Sequence, residues 1–214
     1  MTLVIAAEAI DGTIVTVADA QKFQQGRVTD KGYFLEGISV RKVRPISGNA
    51  ILGVSGNVVI VEDVFDYFQA IDRRCRKADG ISGSIKRRFL SYKPLFVNLP
   101  NRYIFGVTGP DNSKLLATLL EKPNELNEVS CCSIGCYQQE TSRLLTGYSS
   151  EMSAKDVRDF LVDAYDRIVL VDKKLGDRGV LRGRQICTFF YQDGFHELEF
   201  DDSGCTRSVF RAVA

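Results

Sequence analysis

The chain has 214 residues, 44% of them hydrophobic and 26% charged, with no low-complexity or Pro-rich tract, so it reads as one globular domain over 1–214 with a substantial core. A formal net charge of +1 supplies no field to draw it to nucleic acid or an anionic membrane, and the basic runs at 73–77 and 86–88 fit helix ends, where cations complement the dipole. No apolar run reaches the ~20 residues of a membrane helix, and Met1-Thr2-Leu3-Val4 has no basic stretch before its apolar run, so a cytoplasmic protein without a secretory signal is expected.

Leu3–Ala7 is a short apolar run, Asp11-Gly12 a turn signal and Thr13–Val17 rich in β-branched residues, so the chain opens with a β-hairpin. A polar stretch with Gly26, Gly32 and Gly37 reads as a long connection to a second hairpin, made of Ser39–Pro45 and Ala50–Val54 around Ser47-Gly48-Asn49. Val61, Val64, Phe65, Phe68 and Ile71 recur with the period of an amphipathic helix that runs to Arg76, and a shorter helix is predicted over 84–91. Tyr103–Val107 and Lys114–Leu119 flank the turn sequence Gly109-Pro110-Asp111-Asn112 and form a third hairpin, followed by a strand at Val129–Ile134.

Cys136–Thr146 has helical character, and Gly147 is placed to end it. Ser153-Ala154-Lys155-Asp156 resembles a capping box ahead of a helix whose stripe is Val157, Phe160, Leu161, Ala164 and Ile168. Ile186–Tyr191 and Phe195–Phe200, split by Asp193-Gly194, make a last hairpin. Clustered strands with helix pairs between them predict an α+β protein of antiparallel sheets packed between helical layers, not a parallel βαβ sheet. Neither GxGxxG nor GxxxxGK[ST] occurs, so no nucleotide chemistry has a motif, and no cofactor is expected.

The six cysteines, at 75, 131, 132, 136, 187 and 205, include no CxxC pair, and His196 is the one imidazole; buried free thiols, not a metal site, are the reading. His196 follows a turn and reads as a surface residue, so hydrolysis by this chain would proceed without histidine. Thr2 offers such a route. A chain beginning at Thr2 carries a hydroxyl nucleophile and, in the same residue, an α-amine of pKa about 7.7–8.0 to take its proton.

The Thr-led strand, the Asp11-Gly12 turn, the β-branched strand ending in Ala18-Asp19, the segment Arg41-Lys42-Val43-Arg44-Pro45-Ile46 and Leu52-Gly53-Val54-Ser55-Gly56 together resemble the opening third of a proteasome β-type subunit or its bacterial two-ring relative. Thr146-Gly147-Tyr148, the helix after it and the closing hairpin resemble later elements of the same family, so the likeness spans nearly the whole chain with sparse identities. The resemblance implies a four-layer α-β-β-α sandwich, the N-terminal nucleophile hydrolase fold, and a threonine peptidase. Thr2 matches the nucleophile exposed by removal of Met1, Lys42 the lysine beside it, Gly56 the oxyanion-hole amide, Val54 the base of the first specificity pocket and Asp19 the acidic partner of the lysine. Its implied partners are peptide or unfolded protein substrates, further copies of the chain in a ring, and an ATPase unfoldase or activator.

The sequence also departs from the family. Counted from Thr2, the aspartate position falls on Ala18, so Asp19 fits only with an extra residue in the hairpin or strand, such as a bulge. The connection Ala20–Val40 is longer than the family's. Its later serine falls near Ser133-Ile134-Gly135-Cys136, and its late Asp and Ser near Asp177–Arg182, where Asp177 is shifted and no Ser stands. Two other readings therefore stay open: a ring subunit without catalysis that keeps Met1, and an amide ligase or non-peptide hydrolase with the same nucleophile.

Overall fold

Leu3–Ala7 contains no polar residue to turn toward solvent, and in the computed structural model the strand it forms, β1 (Leu3–Glu8), is buried along both faces. The structure describes residues 3–19, 23–29, 32–38, 42–45, 50–55, 102–108, 114–119, 127–174, 184–190, 194–201 and 204–211. The expected helices over 61–76 and 84–91 lie outside these residues.

The further strands are β2 (Ile14–Ala18), β3 (Phe23–Thr29), β4 (Gly32–Ile38), β5 (Val43–Pro45), β6 (Ala50–Ser55), β7 (Arg102–Thr108), β8 (Lys114–Leu119), β9 (Asn127–Glu128), β10 (Cys131–Gly135), β11 (Arg184–Phe190), β12 (Gly194–Asp201) and β13 (Gly204–Arg211). Two α-helices are described, α1 (Gln138–Leu144), extended by a 3-10 turn over Leu145–Gly147, and α2 (Ala154–Lys174). A main sheet runs in the order β10-β1-β2-β11-β12-β13, a second sheet in the order β5-β6-β7-β8-β9, and among the described residues β3 pairs with β4 alone. All these pairings are antiparallel, as the sequence order predicts. The molecule is a mixed α+β protein. Among the described residues no helix is long and apolar enough to cross a membrane.

Side chains of β1 alternate between two apolar layers. Leu3, Ile5 and Ala7, with Val15 and Val17, pack beneath α2 through Val157, Leu161, Tyr165 and Ile168. Val4 and Ala6, with Ile14, Ala18, Cys187, Phe189 and Phe195, meet Val43, Ile51, Ile104 and Leu116 of the second sheet. Burying each large aliphatic or aromatic side chain this way contributes roughly 1.5–3 kcal/mol, so the packing, more than local propensity, holds α2 and the two sheets together.

Ser153 caps α2 much as its sequence suggests: its Oγ accepts the Asp156 amide at 3.2 Å and donates to Asp156 Oδ2 at 2.6 Å. The helix then runs past the predicted stripe to Lys174, its last turn carrying Lys173 and Lys174 at the end where cations are favoured.

Three differences from the sequence expectation stand out. The Gly-rich connection holds the β3–β4 hairpin, with Gly26 opposite Leu35 and Gly37 opposite Gln24; a ladder formed by backbone groups accepts glycine that pattern reading takes as a turn. β13 adds a third strand to the closing hairpin, and β9 adds a two-residue edge to the second sheet. Of the expected strand at Ser39–Pro45, residues 42–45 are described: Val43–Pro45 form β5 and Lys42 precedes the strand, while residues 39–41 lie outside the described set.

Candidate active site

The β1–β2 hairpin decides which acidic residue reaches the head of β1. Ala9 N–H donates to Thr13 C=O at 2.7 Å and Gly12 N–H to Ala9 C=O at 3.0 Å, closing a three-residue loop, Ile10-Asp11-Gly12, in which Gly12 takes φ 88°. From there the ladder runs unbroken from Glu8 opposite Ile14 to Val4 opposite Ala18. Ala18 is therefore a ladder residue, and the next one, Asp19, closes the hairpin. Its amide donates to Leu3 C=O at 3.1 Å, and its Oδ1 accepts the Leu3 amide at 2.8 Å. No bulge interrupts β1 and β2; the turn sets the phase.

Asp19 is fully buried, and Lys42, just ahead of β5, is 2% exposed. Burial pushes the Asp19 carboxyl up to about 6, against the opposing pull of the Lys42 ammonium and the Leu3 amide; burial likewise lowers Lys42, against the pull of Asp19. Asp19 Oδ2 is buried and makes no hydrogen bond among the described residues. Two opposite charges thus share a low-dielectric site beside Leu3.

This environment has a measurable consequence. Because Asp19 goes from about 3.8 unfolded to about 6 folded, the native state keeps its proton over a pH range where the unfolded chain has lost it. The stability carried by this proton is complete below pH ~4 and is lost as pH rises through ~6, a change of about 3 kcal/mol. Urea titrations at several pH values between 4 and 7 should show wild type losing stability relative to Asp19→Asn by roughly that amount; parallel curves would show that Asp19 titrates normally.

On the other side of β1, Leu3 pairs with Gly135 at the end of β10. Gly135 (φ 108°) and Tyr137 (φ 55°) are left-handed and turn the chain from β10 into α1. The Tyr137 hydroxyl donates to Asp172, which is buried on α2, and so ties the turn to that helix. Ser133 lies inside β10 opposite Ile5, so the side chain carried by the turn is Cys136. Burial and Asp19 push the Cys136 thiol up to about 12, burial pushes Cys131 up to about 12, and burial raises Cys132 well above the ordinary thiol value. These thiols are protonated at neutral pH, the opposite of what a cysteine nucleophile requires. They are half-buried, and Cys187 is buried; Cys75 lies outside the described residues.

The structure thus brings Asp19 and Lys42 together at the head of β1. Val54 is buried in β6, and its amide donates to Lys42 C=O at 2.8 Å, so the two residues are backbone neighbours across β5 and β6. Thr2, Gly56 and Asp177 lie outside the described residues. Sequence reasoning named Cys136 only within the Ser133-Ile134-Gly135-Cys136 segment and as a thiol, without a role of its own, and passed over Gln185, which bonds to the Val43 backbone. The glycine before Cys136 was a usable signal; a lone Gln in a strand was not.

His196 is exposed on β12, opposite Thr188 and Phe210. With Asp11, Thr13, Lys155 and Arg158 it lines a cavity of about 470 Å³. This cavity adjoins the turn end of the β1–β2 hairpin, whereas Asp19 and Leu3 sit at the opposite end, and neither Asp19 nor Lys42 lines it. No family model matches the chain, and no curated protein matches it either.

Proposed function

We propose that this chain is an N-terminal-threonine amide hydrolase of the proteasome β type, cleaving peptide bonds in unfolded protein or peptide substrates. The observation that carries this reading is the buried Asp19 carboxylate, which accepts the Leu3 amide while coupled to the buried Lys42 ammonium. Peptide bonding keeps the Cα of residue 2 about 3.8 Å from that of Leu3, so the chemistry of Thr2 is one residue away from this pair. A buried ion pair is a poor stabilising device compared with apolar packing; beside a nucleophile it has a use.

In the reaction, Thr2 Oγ attacks the carbonyl carbon of the scissile amide and its proton passes to the α-amine freed by loss of Met1. The Lys42 cation favours the deprotonated amine and the developing negative charge, Asp19 holds the lysine, and the Gly56 N–H faces the oxyanion. Collapse breaks the C–N bond, the leaving amine takes the proton, and water releases the acyl group from Thr2. The fold that goes with this reading is the four-layer sandwich over a single domain, 1–214, assembled with further copies into a ring fed by an unfoldase or activator.

Thr2→Ala is expected to abolish covalent labelling by an electrophilic peptide probe, a loss of ~10⁴-fold or more in acylation rate. Intact mass of the wild type should show Met1 removed and one adduct per chain; labelling that persists in Thr2→Ala rejects the mechanism. The second reading, a ring subunit without catalysis, is favoured by Cys136 in the Gly135–Tyr137 turn, a protonated thiol where the resemblance expects a serine hydroxyl. Retention of Met1 together with absence of labelling would select it.

A further inference from the structure

Gln185 lies on β11 opposite Ala18, the residue before Asp19, on the face of the main sheet that meets the second sheet. Its side chain reaches across to Val43, the residue after Lys42. Oε1 accepts the Val43 amide at 3.3 Å, Nε2 donates to Val43 C=O at 3.1 Å, and Nε2 donates again to Glu197 Oε1 at 2.9 Å. A carboxamide has one acceptor oxygen and two N–H donors in one plane, and here they act as a strand neighbour for β5, the edge of the second sheet. Both polar residues are inside the interface, Gln185 at 2% and Glu197 at 1% exposure, near Ala18, Val43, Cys187 and Phe195.

Apolar side chains would fill that space without placing an amide and a carboxylate among them, and hydrogen bonding removes the desolvation penalty without creating a large net gain. What the bonds add is position. We propose that Gln185, braced by Glu197, is a positioning residue that clamps the Val43 peptide to the main sheet and thereby sets where Lys42 stands relative to Asp19 and the head of β1. Gln185 joins the neighbour of one charged residue to the neighbour of the other, so the distance between the two charges is fixed by a bridge one residue away. The catalytic consequence rests on the hydrolase reading above; the geometric one does not.

The test uses the full-length chain with lysines labelled at 13Cε, the Lys42 resonance assigned through Lys42→Ala, and the variants Gln185→Leu, Glu197→Leu and Glu197→Gln. In Gln185→Leu the Lys42 resonance should move toward those of exposed lysines and its titration midpoint should rise. Turnover of a peptide substrate should fall ~10–100-fold in kcat, with KM changed less than about twofold, because misplacement by ~1 Å is enough for such a loss. Glu197→Leu should displace the Lys42 resonance in the same direction by less, and Glu197→Gln, which keeps an acceptor oxygen for Gln185, should restore it toward the wild-type position.

A folded Gln185→Leu protein whose Lys42 resonance and kcat match the wild type overturns the proposal. So does an unmoved resonance in Glu197→Leu should Gln185→Leu fail to fold. If the wild type cleaves nothing while the Lys42 resonance still moves in these variants, the positioning role stands and the hydrolase reading alone falls.

Discussion

On the proposed hydrolase mechanism, Lys42→Met is expected to lower acylation of Thr2 by ~10²–10³-fold, the effect of removing one preorganised charge or donor from such a site. It should also destabilise the fold, by up to ~3 kcal/mol at pH 8, because Asp19 is fully buried and, without its cation, must take up a proton two pH units above its folded value of about 6. The two effects separate in the double variant Asp19→Leu/Lys42→Met. Exchanging both charges for apolar groups of similar size is commonly near neutral for stability, so the double variant should regain part of the loss. It should fall short by the ~1–3 kcal/mol of the Leu3 amide, which no longer finds an acceptor in Asp19. Activity should not return. Urea denaturation and the labelling rate of the electrophilic probe read the two quantities independently. Should Lys42→Met label at the wild-type rate, the lysine has no catalytic part, and if the double variant proves no more stable than the single one, the two charges are not coupled.

The second large effect is expected at Gly106, far in sequence from the candidate site but at the contact of the two sheets. A Cβ there would lie 2.7 Å from Ile14 Cδ1 and 2.9 Å from Ile51 Cγ1, with Ile14 Cγ2 at 3.2 Å. Closely packed interiors have no slack to absorb a methyl group at those separations, so Gly106→Ala should cost about 1–3 kcal/mol and Gly106→Val more. The shortest contact is to the far end of a flexible side chain. Ile14→Val deletes that Cδ1, and in a double-mutant cycle it should recover part of the Gly106→Ala loss, a coupling on the order of 1 kcal/mol. Strict additivity would mean that the sheets separate instead of Ile14 yielding. Because β2 carries both Ile14 and the approach to Asp19, separated sheets would also disturb the pair with Lys42.

These two sites show where local patterning carries information and where it stops. The Leu3–Ala7 run, the β-branched stretch after Asp11-Gly12 and the period of Val157, Leu161, Ala164 and Ile168 are strong signals because each element meets its apolar neighbours along a regular face. The β3–β4 and β13 strands were missed because their residues alternate poorly and glycines interrupt them, while backbone pairing asks nothing of side-chain type. At the candidate site, Asp19 and Lys42 were legible as residues matching a family pattern. Their burial and electrostatic coupling were not, since they are 23 positions apart in the chain and stand next to strands of two different sheets.

The amino-acid order by itself determined the antiparallel α+β character, the hairpins at each end, the capped helix after Ser153 and the short list of residues able to carry chemistry, because hydrophobic period, turn residues and side-chain type are local properties. Tertiary structure alone decided that Asp19, not Ala18, meets the Leu3 amide, since a three-residue loop with left-handed Gly12 sets the phase of the hairpin. It also decided that Cys136 occupies the turn beside Leu3, and that Gln185 and Glu197 reach Val43 across the sheets. Such relations depend on register and on the packing of segments distant in the chain, and no window along a sequence contains both partners.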